Sequence, residues 1–304
     1  MLVLIADAFH RSLPDRLRAL DVEVTEDNAR QAEAEVVLIR SRTKCTREYI
    51  DASPALKLII RGGVGLDNVD RAYAEQKGIA VYSTPEASSI AVAELTMSLM
   101  LSAVNQLVVG HNGMAAGRWL KQELTRTELF GKTLGLIGLG RIGSEVAKRA
   151  TAFGMRVFAF DAYVKKSDIA ELVDLDTLRS SADVISLHTP LTNETRGMVD
   201  AECLAKCKAG VVIVNTGRAG CVDEAAMASA LESGHVRCYA TDVWTQDPPP
   251  ADCPLLVAPN VLMVPHVGAS TRENLLRIGE IIVHKIKCHR DMERVKEDGL
   301  ALRR

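Results

Sequence analysis

The sequence has no surplus of charge: 37 lysines and arginines stand against 39 aspartates and glutamates, a formal net charge of -2. Binding to nucleic acid or to an anionic membrane needs a clustered basic face, which this balance does not supply, so no nucleic acid and no membrane are expected as partners. A leader is not expected either. MLVLIADAF runs from a short apolar stretch straight into Asp7, with neither a basic start nor a small-residue cleavage site, and reads as a first strand. No apolar run reads as long enough to span a bilayer, and a cytoplasmic location is expected. The seven cysteines, Cys45, Cys203, Cys207, Cys221, Cys238, Cys253 and Cys288, form no C-x-x-C. Cys203 and Cys207 sit one helical turn apart with no nearby histidine, so no metal is expected and the thiols read as small buried hydrophobes in a reducing compartment. No tandem repeat is visible, and the one proline-rich patch, DPPPADCP at 247–254, is a loop.

What is present points to a small-molecule protein. At 304 residues, 47% hydrophobic and 25% charged, the chain is long enough for two compact α/β domains and is neither disordered nor fibrous in composition. Short β-rich runs (VLIA, VVLIR, LKLIIR, GIAVYST) alternate with helical patterns around Leu13 to Leu20 and after Thr46. That rhythm belongs to βαβ units on a parallel sheet. A single long helix is expected from about Ser88 to Ala116, followed by a second series: KTLGLIG, MRVFAFD, ADVISLHTP, GVVIVNT, VRCYATDVW and VLMVPHVG. Two doubly wound domains are the natural division. TRENLLRIGEIIVHKIKCH repeats its apolar residues at helical spacing beyond the second series and can return to the first domain.

Between the strand TLGLI and a helix lies Gly138-Leu139-Gly140-Arg141-Ile142-Gly143, in G-x-G-x-x-G spacing. The first glycine suits a tight turn, the second lets backbone approach a pyrophosphate, and the third lets helix and strand pack closely. The helix then offers unpaired N–H groups to phosphates. The next strand ends in Asp161, 18 residues after Gly143, near the spacing at which an acid takes the adenosine ribose hydroxyls. Ala162 and Tyr163 supply no arginine for a 2′-phosphate, which favours NAD over NADP; Lys165 and Lys166 leave tolerance of NADP open.

Ionisable residues stand where strands of the second series end, the side on which open α/β sheets bind ligands: Arg218, the pair Asp242 and Asp247, and His266. Singly, each has an ordinary explanation as a solvated arginine, a loop acid or a structural histidine. Together beside a dinucleotide fingerprint they match a chemistry. Hydride transfer to a carbonyl needs a proton donor for the forming alkoxide and a cation for a carboxylate, and histidine and arginine meet those needs. A small anionic 2-hydroxy or 2-keto acid is the expected substrate.

The segments RGGVGLDNVD, GKTLGLIGLGRIG, LHTPLTNETRGM, VNTGRAGCVDEAAMASAL, TDVWTQDPP and PHVGAST together resemble the D-isomer-specific 2-hydroxyacid dehydrogenases, most of all their phosphoglycerate-oxidising branch. The resemblance covers nearly the whole chain. It implies a Rossmann NAD-binding domain, residues 94–270, inserted in a flavodoxin-like substrate domain, residues 1–93 and 271–304. It also implies cleft closure about the two crossings and a homodimer formed through the cofactor domain. On matching positions Arg218 anchors the substrate, His266 is the acid/base, and Asp247 stands where the family usually has glutamate, one methylene longer. Gly138, Gly140, Arg141, Ile142, Gly143, Asp161, His188, Thr189, Pro190, Thr216, Gly217, Asp242, Gly268 and Ala269 fall to the cofactor. Val64 and Gly65 offer backbone N–H groups to the substrate; Val64 and Ser88 occupy places where related enzymes often carry Thr and Asn. No appended regulatory domain, and so no serine feedback through one, is expected.

Arg40 and Arg61 finish the strands VVLI and LKLII. Parallel strands present their carboxyl ends on one side, so both guanidinium groups are candidates for one anion. In the branch resembled, arginines at these positions take a phosphate, with Lys121 a further charge, which implies 3-phosphoglycerate as substrate and a place in serine biosynthesis. Two alternatives share the motifs: a reductase of glyoxylate, hydroxypyruvate or another 2-keto acid, and a non-catalytic NAD-sensing scaffold like the corepressors built on this fold.

Overall fold

A computed structural model describes the backbone of residues 1–301 and the side chains of residues 1–292; residues 302–304, the end of the assigned substrate domain, lie outside the described residues. The chain divides into two compact units, the first comprising residues 1–88 and the chain from 269 onward, the second residues 89–268.

The first unit is built on β1 (Leu2–Ile5), β2 (Glu23–Thr25), β3 (Val36–Ile39), β4 (Leu58–Arg61) and β5 (Ala80–Ser83), all parallel in the order β2-β1-β3-β4-β5. This is the flavodoxin-like order. Its central strands are apolar at nearly every position because helices cover both faces. Alternation then sorts side chains into two layers, Leu4, Val37, Ile39 and Ile59 in one and Val3, Ile5, Leu38 and Ile60 in the other. Helices α1 (Leu13–Arg18), α2 (Arg47–Asp51) and α3 (Arg71–Gln76) flank it. Thr46 and Asp70 cap the last two, accepting the N–H groups of Tyr49 and Tyr73. The final helix, Arg272–Ala301, buries Ile278, Ile282 and Ile286 in the same layer as Val3 and Ile5, so it returns to the first sheet.

The stretch expected as one helix from Ser88 to Ala116 is two, α4 (Pro85–Asn105) and α5 (Leu107–Ala115). Gln106 between them adopts the left-handed conformation, φ 54°, which ends helical propagation, and its side-chain amide donates to the carbonyl of Thr125 at 2.7 Å. The expectation that no apolar run reaches spanning length is corrected too. By length and composition α4 is long and apolar enough to cross a membrane, yet 67% of its apolar window is buried inside the protein, as suits a core helix with several packed sides.

The second unit carries β6 (Thr133–Ile137), α6 (Arg141–Ala152), β7 (Arg156–Phe160), β8 (Glu171–Leu172), α7 (Leu175–Ser181), β9 (Val184–Leu187), α8 (Ala201–Ala205), β10 (Val211–Asn215), α9 (Glu224–Glu232), β11 (Val236–Thr241) and β12 (Val261–Met263). The strands are parallel in the order β12-β11-β10-β9-β6-β7-β8. Counted from β6, that is the Rossmann order with one further strand, and the order reverses between β6 and β9. The α/β class and the insertion of one doubly wound unit in another follow from these two sheets.

Candidate active site

At the switch between β6 and β9, Gly138 has φ +98° and a side chain there would meet the backbone of His188 at 2.8 Å. A Cβ on Gly143 would stand 2.2 Å from the Gly138 carbonyl oxygen, whereas one on Gly140 would meet nothing within 4 Å. Two glycines therefore serve close packing, and the middle one faces open space, where a pyrophosphate fits. Helix α6 has no side-chain cap at Gly140, leaving its first N–H groups to such an anion. This turn matches the phosphates of a dinucleotide such as NAD.

Asp161 does more than its spacing suggests. One oxygen accepts the Leu139 N–H at 2.8 Å, and the other accepts the N–H groups of Tyr163 at 2.9 Å and Val164 at 3.1 Å. Burial pulls its carboxyl upward, but these bonds outweigh it and hold the group below the usual carboxylate range. The acid thus pins the glycine turn while keeping one lone pair, on the oxygen that takes the Leu139 N–H, for a hydroxyl. His188, after β9, is drawn down to about 4 by burial and is neutral; its Nε2 lies 2.9 Å from the Ser186 hydroxyl and its Nδ1 is buried with no hydrogen-bond partner among the described residues. Thr189 follows it, with its hydroxyl 3.8 Å from the sulfur of Cys221, and the carbonyl of Pro190 accepts from Thr195. Thr216, after β10, is buried against the hydroxyl of Thr96 at 2.8 Å, and Gly217 N–H donates to Asn215. Arg141 and Ile142 open α6.

The chemical candidates share this edge. Arg218 follows β10, half-buried, its backbone carbonyl held by the Asn215 amide at 3.1 Å and one guanidinium nitrogen on the Gly217 carbonyl at 2.7 Å. His266 follows β12 and Asp247 follows β11; Nδ1 and the carboxylate are 2.5 Å apart, so the shorter acid reaches the ring. A carboxylate only accepts, which places the Nδ1 proton toward Asp247 and leaves Nε2 free. His266 sits at φ 54°. Asp242, only 2% exposed, grips the turn that holds it, accepting the N–H of Val267 at 2.6 Å and of Gly268 at 2.8 Å. Burial pushes the Asp242 carboxyl up, ahead of the two N–H bonds that pull it down. Adjacent strands lie about 4.8 Å apart, so the ends of β10 and β12 are separated by about 10 Å, the span of one small acid with its two recognition groups.

In the first unit, Arg40 and Arg61 leave neighbouring strands, with Ile39 in register with Arg61. Arg40 reaches the Ala8 carbonyl at 3.5 Å and the Ser270 hydroxyl at 3.4 Å, and its Nε is buried with no hydrogen-bond partner among the described residues. The Arg61 guanidinium lies across Gly63, where any Cβ would be 1.8 Å from it. Val64 is 39% exposed on the same loop, next to Gly65. Ala269 accepts the side-chain amide of Asn274 at 2.7 Å, and the same amide reaches Ser88 at 3.2 Å, so the serine found at that position packs as a buried partner. Lys121 belongs to the second unit; it is exposed and has no hydrogen bond or ion pair among the described residues.

Asp7 escaped the sequence reading. It is buried and accepts from Arg40 N–H at 2.6 Å, both the N–H and hydroxyl of Thr43, and the guanidinium of Arg42 at 3.2 Å. Burial raises its carboxyl, and those donors more than reverse the effect. Its signal was its place just past β1, beside the switch point of the first sheet. Thr96, the partner of Thr216, gave none, since a threonine inside an apolar helix has no pattern.

Residues 97–268 match the family model described as D-isomer specific 2-hydroxyacid dehydrogenase, NAD binding domain. The chain is 47% identical over 257 residues to a hydroxypyruvate reductase of Thermotoga maritima, covering 84% of each protein. It is 42% identical over 298 residues to a D-3-phosphoglycerate dehydrogenase of Methanocaldococcus jannaschii, covering 94% of this chain and 56% of that one, so it spans about half the length of that relative. Among solved structures it is similar to D-lactate dehydrogenase from Aquifex aeolicus complexed with NAD and lactic acid, with 30% identity, a TM-score of 0.85 and 98% of each chain covered.

The glycine geometry predicts that Gly143→Ala, whose Cβ must displace the Gly138 carbonyl, raises the KM for NAD by about tenfold or more while circular dichroism stays native. An unchanged KM would contradict the close packing at this turn.

Proposed function

The chain belongs to the D-isomer specific 2-hydroxyacid dehydrogenases, NAD-dependent oxidoreductases, and from that premise we propose that it interconverts 3-phosphoglycerate and 3-phosphohydroxypyruvate, the entry to serine biosynthesis. NAD supplies the hydride acceptor, and NADH the donor, at carbon 2. The guanidinium of Arg218 binds the C1 carboxylate as a two-pronged donor and polarises the neighbouring C2 oxygen. His266, with Nδ1 tied to Asp247, holds on Nε2 the proton that moves to the C2 oxygen in reduction and returns in oxidation. Asp242 keeps the 266–268 turn in place during that transfer. The N–H groups of Val64 and Gly65 serve the substrate. The dinucleotide falls to the Gly138–Gly143 turn, Asp161, His188, Thr189, Pro190, Thr216 and Gly217.

The observation that carries the choice of acid is the pair Arg40 and Arg61 at the ends of neighbouring strands, one of them with a buried Nε that lacks an acceptor. Two guanidinium groups suit a phosphate dianion better than the uncharged end of hydroxypyruvate or glyoxylate. A second reading, reduction of unphosphorylated hydroxypyruvate, rests on the Thermotoga relative bearing that name, matched over most of both chains.

We also propose that the enzyme works as a cytoplasmic homodimer through its cofactor unit. The cysteines are free thiols, as a reducing compartment requires. Leu107, Val108, Val109 and Met114 on α5, with Trp119 and Phe130 after it, leave large apolar side chains exposed, Phe130 by 76%. Such surface is normally covered by a partner.

Three measurements test these assignments. His266→Ala should lower kcat by roughly 10²–10⁴-fold with NADH affinity preserved; near-normal turnover would remove the histidine from the reaction. For the substrate, native enzyme should prefer phosphohydroxypyruvate to hydroxypyruvate in kcat/KM, and Arg61→Ala should abolish most of that preference. No preference in the native enzyme would remove the phosphate reading and leave a general 2-keto acid reductase as the better one. Sedimentation equilibrium should give twice the 33.0 kDa chain mass, reduced toward one chain by Val108→Lys, and a native monomer would refute the dimer.

A further inference from the structure

A cavity of about 180 Å³ opens at the other edge of the second sheet, where β6, β9, β10 and β11 begin. Val104, Leu129, Val184, Val211 and Val212 give it an apolar floor. Lys132, Lys208 and Arg237 stand around it, with Asp183 and Glu128 as the acids. The charges do not cancel in place. Asp183 is engaged twice, accepting the Thr133 N–H at 2.8 Å and the Lys208 ammonium at 3.1 Å, so Lys208 is neutralised there. Among the described residues Arg237 has only uncharged partners, the Thr127 hydroxyl at 2.8 Å and the Thr125 carbonyl at 3.0 Å. The Lys132 ammonium has no hydrogen bond or ion pair among the described residues, and Glu128 is exposed and forms no ion pair among them.

An ammonium and a guanidinium that neither Asp183 nor Glu128 pairs, above a hydrocarbon floor, match an anion carried on a short apolar body. Neither water nor a bare inorganic ion uses both halves of such a cavity. We propose that it is a second ligand site, which binds a small organic anion, a carboxylate or phosphate monoester with a compact hydrocarbon part. The headgroup lies against Lys132 and Arg237, and the apolar part covers the valines. A five-residue strand spans about 16 Å, so this site lies that far along the sheet from the dinucleotide turn and does not compete with it. Arg237 also ties down Thr125 and Thr127, so the bound anion adds a third partner to a side chain that already anchors the stretch before β6.

The test uses the full chain with saturating NADH at low salt, titrated calorimetrically with phenyl phosphate and, separately, with benzoate. The proposal expects one saturable event for at least one probe; the probe that binds names the headgroup. Affinity should fall about tenfold or more in Lys132→Gln/Arg237→Gln and stay unchanged in Arg61→Ala. If the double variant does not fold, Lys132→Gln alone should weaken binding at least about threefold. Absence of saturable binding by either probe, binding undiminished in the lysine and arginine variants, or loss of binding in Arg61→Ala would each overturn the site. The last outcome would assign the event to the substrate arginines, so the fate of this proposal is separable from that of the phosphorylated substrate.

Discussion

Parallel pairing is the constraint on which everything else rests. Every strand pair in both sheets is parallel, so all carboxyl ends of a sheet gather on one edge and all amino ends on the other. Return connections must cross the faces as helices, which is why the central strands are apolar on both sides. The carboxyl edge is then free of crossovers and becomes the place where loops from distant parts of the sequence meet. Gly138, Thr189, Arg218, Asp242 and His266 are separated by many residues in the chain yet follow five strands of one sheet. The same polarity puts Lys132, Asp183 and Arg237 together on the opposite edge.

The acids at these edges are structural before they are chemical. Asp7, Asp161 and Asp242 each accept two or more backbone N–H groups or side-chain donors just past a strand end, where the ladder stops and N–H groups would otherwise be unpaired. Their environments differ in degree. For Asp7 and Asp161 the donors outweigh burial and the carboxyl is held down, whereas for Asp242 burial dominates and the carboxyl is pushed up. The donors of Asp242 are the two residues that follow His266.

Much of this was legible in the sequence because strands buried on both faces are continuous apolar runs, and because glycines spaced for a phosphate turn follow one of them. The family resemblance carried by those segments is the family to which the chain belongs. What stayed hidden has physical reasons. β2 and β8 are three and two residues long and begin with exposed glutamates, too short for any periodicity. The break at Gln106 lacks the glycine or asparagine that normally marks a left-handed residue, and a tertiary hydrogen bond to Thr125 accompanies it. Among site residues, position at a strand end exposed Arg218, Asp247 and His266, but nothing in the spacing showed that Asp161 fastens the glycine turn or that Asp242 fastens the histidine turn. Those bonds join residues 22 to 26 apart through backbone N–H groups, which every sequence has and none advertises.

The left-handed backbone at His266 shows why such fastening is needed. A non-glycine residue at φ 54° costs on the order of 1–2 kcal/mol, and such strain persists only where the surroundings over-determine it. Here three constraints do so: the His266 N–H on the Val264 carbonyl, the next two N–H groups on Asp242, and the ring on Asp247. Trp244 adds a fourth by donating its indole N–H to the same Val264 carbonyl. Gly268 lets the clamp close, since a Cβ there would stand 2.8 Å from the Asp242 carboxylate. The histidine and the Asp242 clamp are thus one unit of local structure, in which a buried acid sets the backbone and an exposed acid sets the ring. A histidine held this way keeps one nitrogen directed outward without relying on its own rotamer preference, which is the condition for giving and taking a proton at a fixed point.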